Sequence, residues 1–237
     1  MTGSIEEEAS GSPALTGQAV EAAFNEAYSF LRKAIGVIAL LLPIVVVIGH
    51  GWLGHSWELK GSISAYYYTH SRNYFVGSLC ALAVVFLSYE YRAFGKYQAD
   101  NYLSDFACVA ALGVAFLPTT RGGVQSTRAE EVVGFFHYLC AGALFITLAV
   151  FCLFFFTRSQ GVKTPRKILR NRLYRSCGAV IISCLILCVL AAWKAPYSWH
   201  ALYWLESIMV WAFAISWLVK GEFAGILVDK PTAESSQ

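Results

Sequence analysis

A histidine and a glutamate stand inside otherwise apolar stretches of this sequence, in VVGFFHYLCAGALF and ALYWLESIMVWAF. They are His137 and Glu206. An ionisable side chain costs about 2.5 kcal/mol or more at the middle of a membrane, so such residues are candidates for function. A buried carboxyl group needs a partner or a proton, and an imidazole can share either. We therefore predict that these two side chains share a hydrogen bond or a proton and bind a ligand; a purely structural bond between helices is the alternative.

A polar stretch, GSISAYYYTHSRN at positions 61–73, lies between two apolar runs. Its hydroxyls and its arginine can complete a polar pocket with His137 and Glu206, and Arg72 is predicted to pair with the Glu206 carboxylate. The alternative for three successive tyrosines is an ordinary aromatic belt at the membrane surface. The candidate ligand-binding residues of this stretch are Ser62, Ser64, Tyr66, Tyr67, Tyr68 and Arg72.

The composition is that of a membrane protein. Of 237 residues, 57% are hydrophobic and only 14% are charged, against about a quarter charged in soluble domains. A net charge of +3 without a basic stripe argues against a nucleic-acid partner. The seven cysteines fall in or beside apolar runs without a C-x-x-C pair, which favours packing residues over ligands. No metal and no cofactor is predicted, and enzymatic activity is left open.

Six apolar stretches are long enough to cross a bilayer as helices, which needs about 20 residues. We predict an all-α, polytopic bundle of six transmembrane helices, preceded by a short interfacial amphipathic helix whose apolar residues recur at spacings of three and four. Residues 1–17 are predicted to be a disordered lead, 18–222 the six-helix domain, and 223–237 a flexible tail. The predicted spans are approximately 34–54, 74–91, 102–118, 132–156, 176–193 and 201–219.

Lysine and arginine predict the direction of threading. Most of these residues fall on the side of the two termini, which the positive-inside rule places in the cytoplasm. We predict a multi-pass protein of the bacterial cytoplasmic membrane. His137 and Glu206 then enter from the outer side to a similar depth, roughly 7.5 Å for five helical residues. The basic connection between the fourth and fifth spans anchors this topology; its candidates for binding anionic lipid head groups are Arg166, Lys167, Arg170, Arg172 and Arg175.

Several short motifs, taken together, resemble a known group. They are the SIS of Ser62–Ser64, the run HYLCAGALF from His137 to Phe145, and Glu206 followed by Trp211 in the last span. With these motifs the chain resembles bacterial relatives, of unknown function, of the Frag/DRAM/Sfk group of six-helix membrane proteins. The likeness covers about residues 30–222. The resemblance implies the topology and the position of the pocket, and it brings no catalytic residues.

Three functions remain open from the residues. The favoured one is binding or processing of a lipid or small ligand in a shallow polar pocket of the outer leaflet. A channel, transporter or sensor subunit acting as a homo-oligomer is the second, with small residues forming the contacts. A membrane-embedded metal-dependent hydrolase, of the kind that alkaline ceramidases represent, is the third. The expected partners are the lipid bilayer and, in the first case, a specific lipid.

Overall fold

The chain folds into α-helices, and the part that the structure describes contains no β-strand. The structure is a computed structural model, and it describes residues 17–88, 99–158, 164–194, 200–223 and 227. The predicted disordered lead and flexible tail lie almost entirely outside these residues. The helices are α1 (Gly17–Gly54), α2 (Arg72–Leu87), α3 (Ala99–Phe116), α4 (Arg128–Val150), α5 (Pro165–Lys194) and α6 (Ala201–Lys220).

Two short helical segments supplement the six long ones. A 3₁₀ helix, Ser64–Tyr68, precedes α2, and a π-helical turn, Phe151–Phe155, extends α4. The amphipathic segment that was predicted to form a separate interfacial helix is not separate. A single helix, α1, runs for 38 residues without a break and includes both this segment and the first apolar stretch.

Four helices are long and apolar enough to cross a membrane, which makes this a multi-pass protein. They are Ser29–Gly54, Arg128–Phe155, Pro165–Ala191 and Ala201–Lys220. The apolar parts of α2 and α3, Arg72–Leu87 and Asn101–Phe116, are shorter. Sixteen helical residues span roughly 24 Å, somewhat less than a bilayer core of about 30 Å.

The helices form a ring in chain order. Each helix packs on the next, and α6 closes the ring by packing on α1. These two helices are antiparallel: the Ser29 hydroxyl, at the start of the apolar part of α1, donates a hydrogen bond to the Gly221 carbonyl just after α6 (2.9 Å), whereas Tyr203, in the first turn of α6, contacts Pro43 further along α1. The start of α1 and the end of α6 are therefore at the same end of the bundle, and the loop before α2 is at the other.

An aromatic cluster fills the ring at the end where α6 finishes. Trp217 is fully buried, and four phenylalanine rings have their centroids 5.2–6.0 Å from its own. Mostly edge-on contacts of this kind add to the free energy gained by burying the rings. The members of this aromatic plug are Trp217, Phe86, Phe151, Phe156 and Phe213.

Close contact between α1 and α6 depends on a glycine. A Cβ atom at Gly36 would lie 2.6 Å from the Leu218 side chain and 3.1 Å from its backbone nitrogen. Further along, Trp211 donates from its indole nitrogen to the Leu40 carbonyl (3.1 Å), and the Tyr203 hydroxyl donates to the Pro43 carbonyl (3.0 Å). Both bonds satisfy side-chain donors that lipid would leave without a partner.

We predict that Gly36→Ala destabilises the protein by about 1–3 kcal/mol, because the added methyl group must push α6 away from α1. Gly142→Ala is the matched control, since a Cβ there meets nothing within 4 Å, and a helical Gly→Ala change in open space is neutral or favourable. Thermal unfolding of the two variants in the same detergent measures the difference. Equal melting temperatures would contradict this account of the α1–α6 contact.

Candidate functional site

The predicted polar loop enters the ring of helices, where part of it forms a short helix. The Ser62 hydroxyl oxygen accepts from the backbone N–H of Ala65 (3.0 Å), so it begins the 3₁₀ helix Ser64–Tyr68 with a side-chain bond. At the other end, the Thr69 hydroxyl donates to the Tyr66 carbonyl (2.8 Å). Serine and threonine bond to nearby backbone in this way at turns and helix ends. We call residues 61–68 the cap.

Glu206 holds the beginning of the cap. Its Oε2 atom accepts from the backbone N–H of Ile63 at 2.7 Å, and the N–H of Ser64 faces the same carboxyl group. Bonds from N–H groups to a carboxylate are short and strong. The backbone N–H of Tyr203, in the first turn of α6, donates to the Gly61 carbonyl (2.9 Å), which uses one of the N–H groups that a helix start leaves open.

His137, on α4, holds the next residue of the cap. Its Nε2 lies 2.9 Å from the Ser64 hydroxyl oxygen and its Nδ1 lies 2.6 Å from the Leu117 carbonyl. A carbonyl can only accept, so Nδ1 carries a proton; in the neutral ring Nε2 then accepts, and Ser64 donates. The imidazole is 1% exposed. It ties α4, the end of α3 and the cap together.

His137 and Glu206 therefore meet through the cap, and the predicted direct bond between them is wrong. They bind adjacent residues, Ser64 and Ile63. The pairing predicted between Arg72 and Glu206 is also wrong. Arg72 is exposed at the start of α2, donates to the Tyr67 hydroxyl (2.6 Å) and lies over that ring at 4.3 Å.

The other two tyrosines fix the cap to the surrounding helices. Tyr66 is fully buried; its hydroxyl oxygen accepts from the Lys60 N–H (3.3 Å) and its ring lies edge-on to His50, with the centroids 5.8 Å apart. Tyr68 donates to the Thr119 carbonyl (2.6 Å), beyond α3. Burial raises the pKa of Tyr66 and of Tyr68, so both keep their protons at neutral pH.

A cavity of about 70 Å³ lies directly against the cap, inside the ring. One wall is a stripe of α2 made of Phe75, Leu79, Leu82 and Phe86, and apolar side chains of α1, α3, α4 and α6 complete it. The polar groups in its lining come from Ser64 and from Glu206, whose side chain is half-buried. The cavity is thus an apolar space that Ser64 and Glu206 border at the cap end.

Of the eight predicted ligand-binding residues, Ser64 and Glu206 line this cavity, and its apolar wall was not predicted. The α2 stripe repeats at spacings of four, three and four, which is the signal of one helix face. Ile63 was also missed, since it takes part through its backbone N–H, which every residue but proline carries.

The predicted head-group residues lie at the other end of the bundle, in the first part of α5. Lys167 donates to the Phe156 carbonyl (3.3 Å) and Arg170 to the Leu227 carbonyl (2.8 Å). Both therefore contact backbone of neighbouring segments. Arg166, Arg172 and Arg175 are exposed.

The described residues contain no group of three or more His, Cys, Asp and Glu side chains that could hold a metal ion. Comparison with protein-family models, with curated proteins and with solved structures finds no match to this chain. The chemistry of the site must therefore be argued from its own geometry.

We predict that Glu206→Ala loosens the cap while leaving the ring folded. Loss of a hydrogen bond to a charged group costs about 1.5–3 kcal/mol, so amide exchange at residues 61–66 should accelerate about tenfold to a hundredfold. Hydrogen exchange read by mass spectrometry checks this.

The control for this experiment is Glu58→Ala, which removes an exposed carboxylate whose ion pair with Lys60 (2.9 Å) contributes little. Unchanged exchange of the cap in Glu206→Ala, or equal acceleration in Glu58→Ala, would contradict the role given to Glu206.

Proposed function

We propose that this protein binds a lipid or another small amphiphile inside the ring, beneath the cap. The observation that carries this proposal is that Glu206 and Ser64, which hold the cap, also line an otherwise apolar cavity. Most small-molecule sites have apolar walls with a few converging polar groups. A carboxyl group inside a membrane is costly. Ligand binding would give Glu206 a function in addition to holding the cap.

Six spans, with the cap on the outer side of a bacterial cytoplasmic membrane, are part of this proposal. The antiparallel ring of α1 to α6 supports an even number of crossings, because the start of α1 meets the end of α6. The distribution of lysine and arginine supports cytoplasmic termini. Membership of the group resembling the Frag/DRAM/Sfk proteins remains a prediction.

The other two functions receive less support from the geometry. A path through the ring would require the aromatic plug around Trp217 to move, since its rings pack against one another beyond the cavity. A zinc hydrolase needs three protein ligands around the metal, and the described residues do not supply such a set.

We expect a cavity-filling substitution to remove lipid that copurifies with the protein. Val114→Phe, on α3, adds a ring where the side chain lines the cavity. Val109→Phe makes the same change on the same helix at a position that is 68% exposed. Mass spectrometry of extracted lipids should find a species present in wild type and Val109→Phe and depleted in Val114→Phe.

Ala141→Leu, a smaller addition to another wall of the cavity, covers the case in which Val114→Phe does not fold. Lipid content that is the same in all four proteins would refute binding in the cavity.

The threading is tested by labelling two new cysteines with a membrane-impermeant maleimide. Glu58→Cys, at a side chain that is 70% exposed near the cap, should react in intact spheroplasts. Arg172→Cys, exposed at the other end of the bundle, should react only after permeabilisation. Wild type is the background, since its seven cysteines are buried or half-buried. The reverse labelling pattern would show that the protein has the opposite orientation in the membrane.

A further inference from the structure

Two histidines lie side by side at the cap end of the bundle. His50 is near the end of α1, and His70 lies between the cap and α2. Their ring centroids are 6.3 Å apart, and the ring planes are 16° from parallel. A Cβ atom at Gly54 would lie 2.7 Å from Nδ1 of His70 and 3.0 Å from Nδ1 of His50. The two nitrogens therefore border one small space, which exists because residue 54 has no side chain.

His50 is a buried imidazole whose polar atoms are not satisfied by the protein. The residue is 7% exposed, and among the residues that the structure describes neither of its ring nitrogens has a hydrogen-bond partner. His137, by contrast, uses both ring nitrogens. A buried polar group without a partner is costly, and it indicates a functional role or a bound water or ion. The nitrogens of His50 are therefore available to a ligand.

The spacing of the two rings suits a metal ion. Imidazole is the commonest metal ligand among side chains. An ion about 2.0 Å from each of two imidazole nitrogens holds the ring centroids at most roughly 6.4 Å apart, because each nitrogen lies about 1.2 Å from its ring centre. The observed 6.3 Å is just within this limit. A separation near the limit fits imidazoles on opposite sides of the ion, as in the square-planar coordination that Cu²⁺ prefers.

The surroundings allow an ion to enter. His70 is exposed, so an ion can reach the pair from the water at the cap end and keep water molecules as its other ligands. The charged side chains that act on His50 are Lys60 and Glu58. These two form an ion pair with each other at 2.9 Å, so the repulsion of a cation by Lys60 is largely balanced.

We propose that His50 and His70 bind a transition-metal ion through their Nδ1 atoms, beside Gly54, and that Cu²⁺ is the preferred ion. The bound ion joins the end of α1 to the segment that follows the cap. It also fixes the His50 ring, which packs edge-on against the buried Tyr66 of the cap (5.8 Å between centroids). This inference goes beyond the proposed function and does not depend on it, since neither histidine is among the residues that line the cavity.

The test titrates the full chain, without an added histidine tag, in maltoside micelles. Isothermal titration calorimetry measures the affinity for Cu²⁺, Zn²⁺ and Mg²⁺. We expect Cu²⁺ to bind more tightly than Zn²⁺, as is general for nitrogen ligands, and Mg²⁺ not to bind, because it requires oxygen ligands. The electron paramagnetic resonance spectrum of the Cu²⁺ complex should show hyperfine coupling to two imidazole nitrogens.

Three variants connect the binding to named atoms. Loss of a residue that only orients a metal ligand costs about 10–100-fold in affinity, so His70→Ala, which removes a ligand, should weaken Cu²⁺ binding about a hundredfold or more. Gly54→Ala keeps both imidazoles and places a methyl group between their nitrogens, so it should weaken binding as well. His55→Asn is the matched control. It removes an exposed histidine next to Gly54, and asparagine tolerates the φ of 49° at that position.

The result that overturns the inference is Cu²⁺ binding that is absent in wild type, or that is the same in wild type, His70→Ala and Gly54→Ala. Equal weakening in His55→Asn would also overturn it, because any exposed histidine would then suffice. His70 is exposed, so metal-free His70→Ala should melt at the temperature of metal-free wild type, which separates loss of the ligand from loss of the fold. Cu²⁺ binding as expected, with lipid content that does not depend on Val114, would refute the proposed function alone.

Discussion

The hydrogen bond from the Ile63 N–H to the Glu206 carboxylate is the interaction on which the cap depends. A loop that enters a helical ring exposes backbone N–H groups to an apolar interior, and each such group needs a partner. The beginning of a 3₁₀ helix has several of these groups at once. A carboxyl oxygen at 2.7 Å accepts from the Ile63 N–H, and the N–H of Ser64 faces the same group. Without it, the cap would be more stable in water above the ring.

The two ends of the ring are closed by different physical means. At the cap end, closure uses hydrogen bonds from Glu206 and His137 and the tyrosine contacts. At the opposite end, closure uses aromatic packing around Trp217. Packed rings can be displaced only by breaking many weak contacts. The cap is held by a few directional bonds, which can break and form again together, so the cap end is the side on which the cavity can open.

The sequence predicts the helices well and the contacts between them poorly. Long apolar runs must be helical in lipid, and counting residues from the helix starts placed His137 and Glu206 at a similar depth. The depth of a residue in the membrane does not determine the direction in which its side chain points within the ring. α4 and α6 are separated by α5 in chain order, and their residues bind different groups of the cap, the Ser64 hydroxyl and the Ile63 N–H. Arg72 shows the same limit, since a planar cation can stack on a tyrosine as readily as it pairs with a carboxylate, and only the folded position decides.

In the proposed complex the Glu206 carboxyl group contacts both the cap and the ligand, and this has a thermodynamic consequence. Its lone-pair sites are enough for the backbone of Ile63 and for a ligand donor at the same time. A ligand bound there adds contacts to the closed state without replacing those that hold the cap. Any ligand that binds the closed state better than the open one shifts the population toward closure. The proposed function therefore implies that occupancy of the cavity and order of the cap increase together.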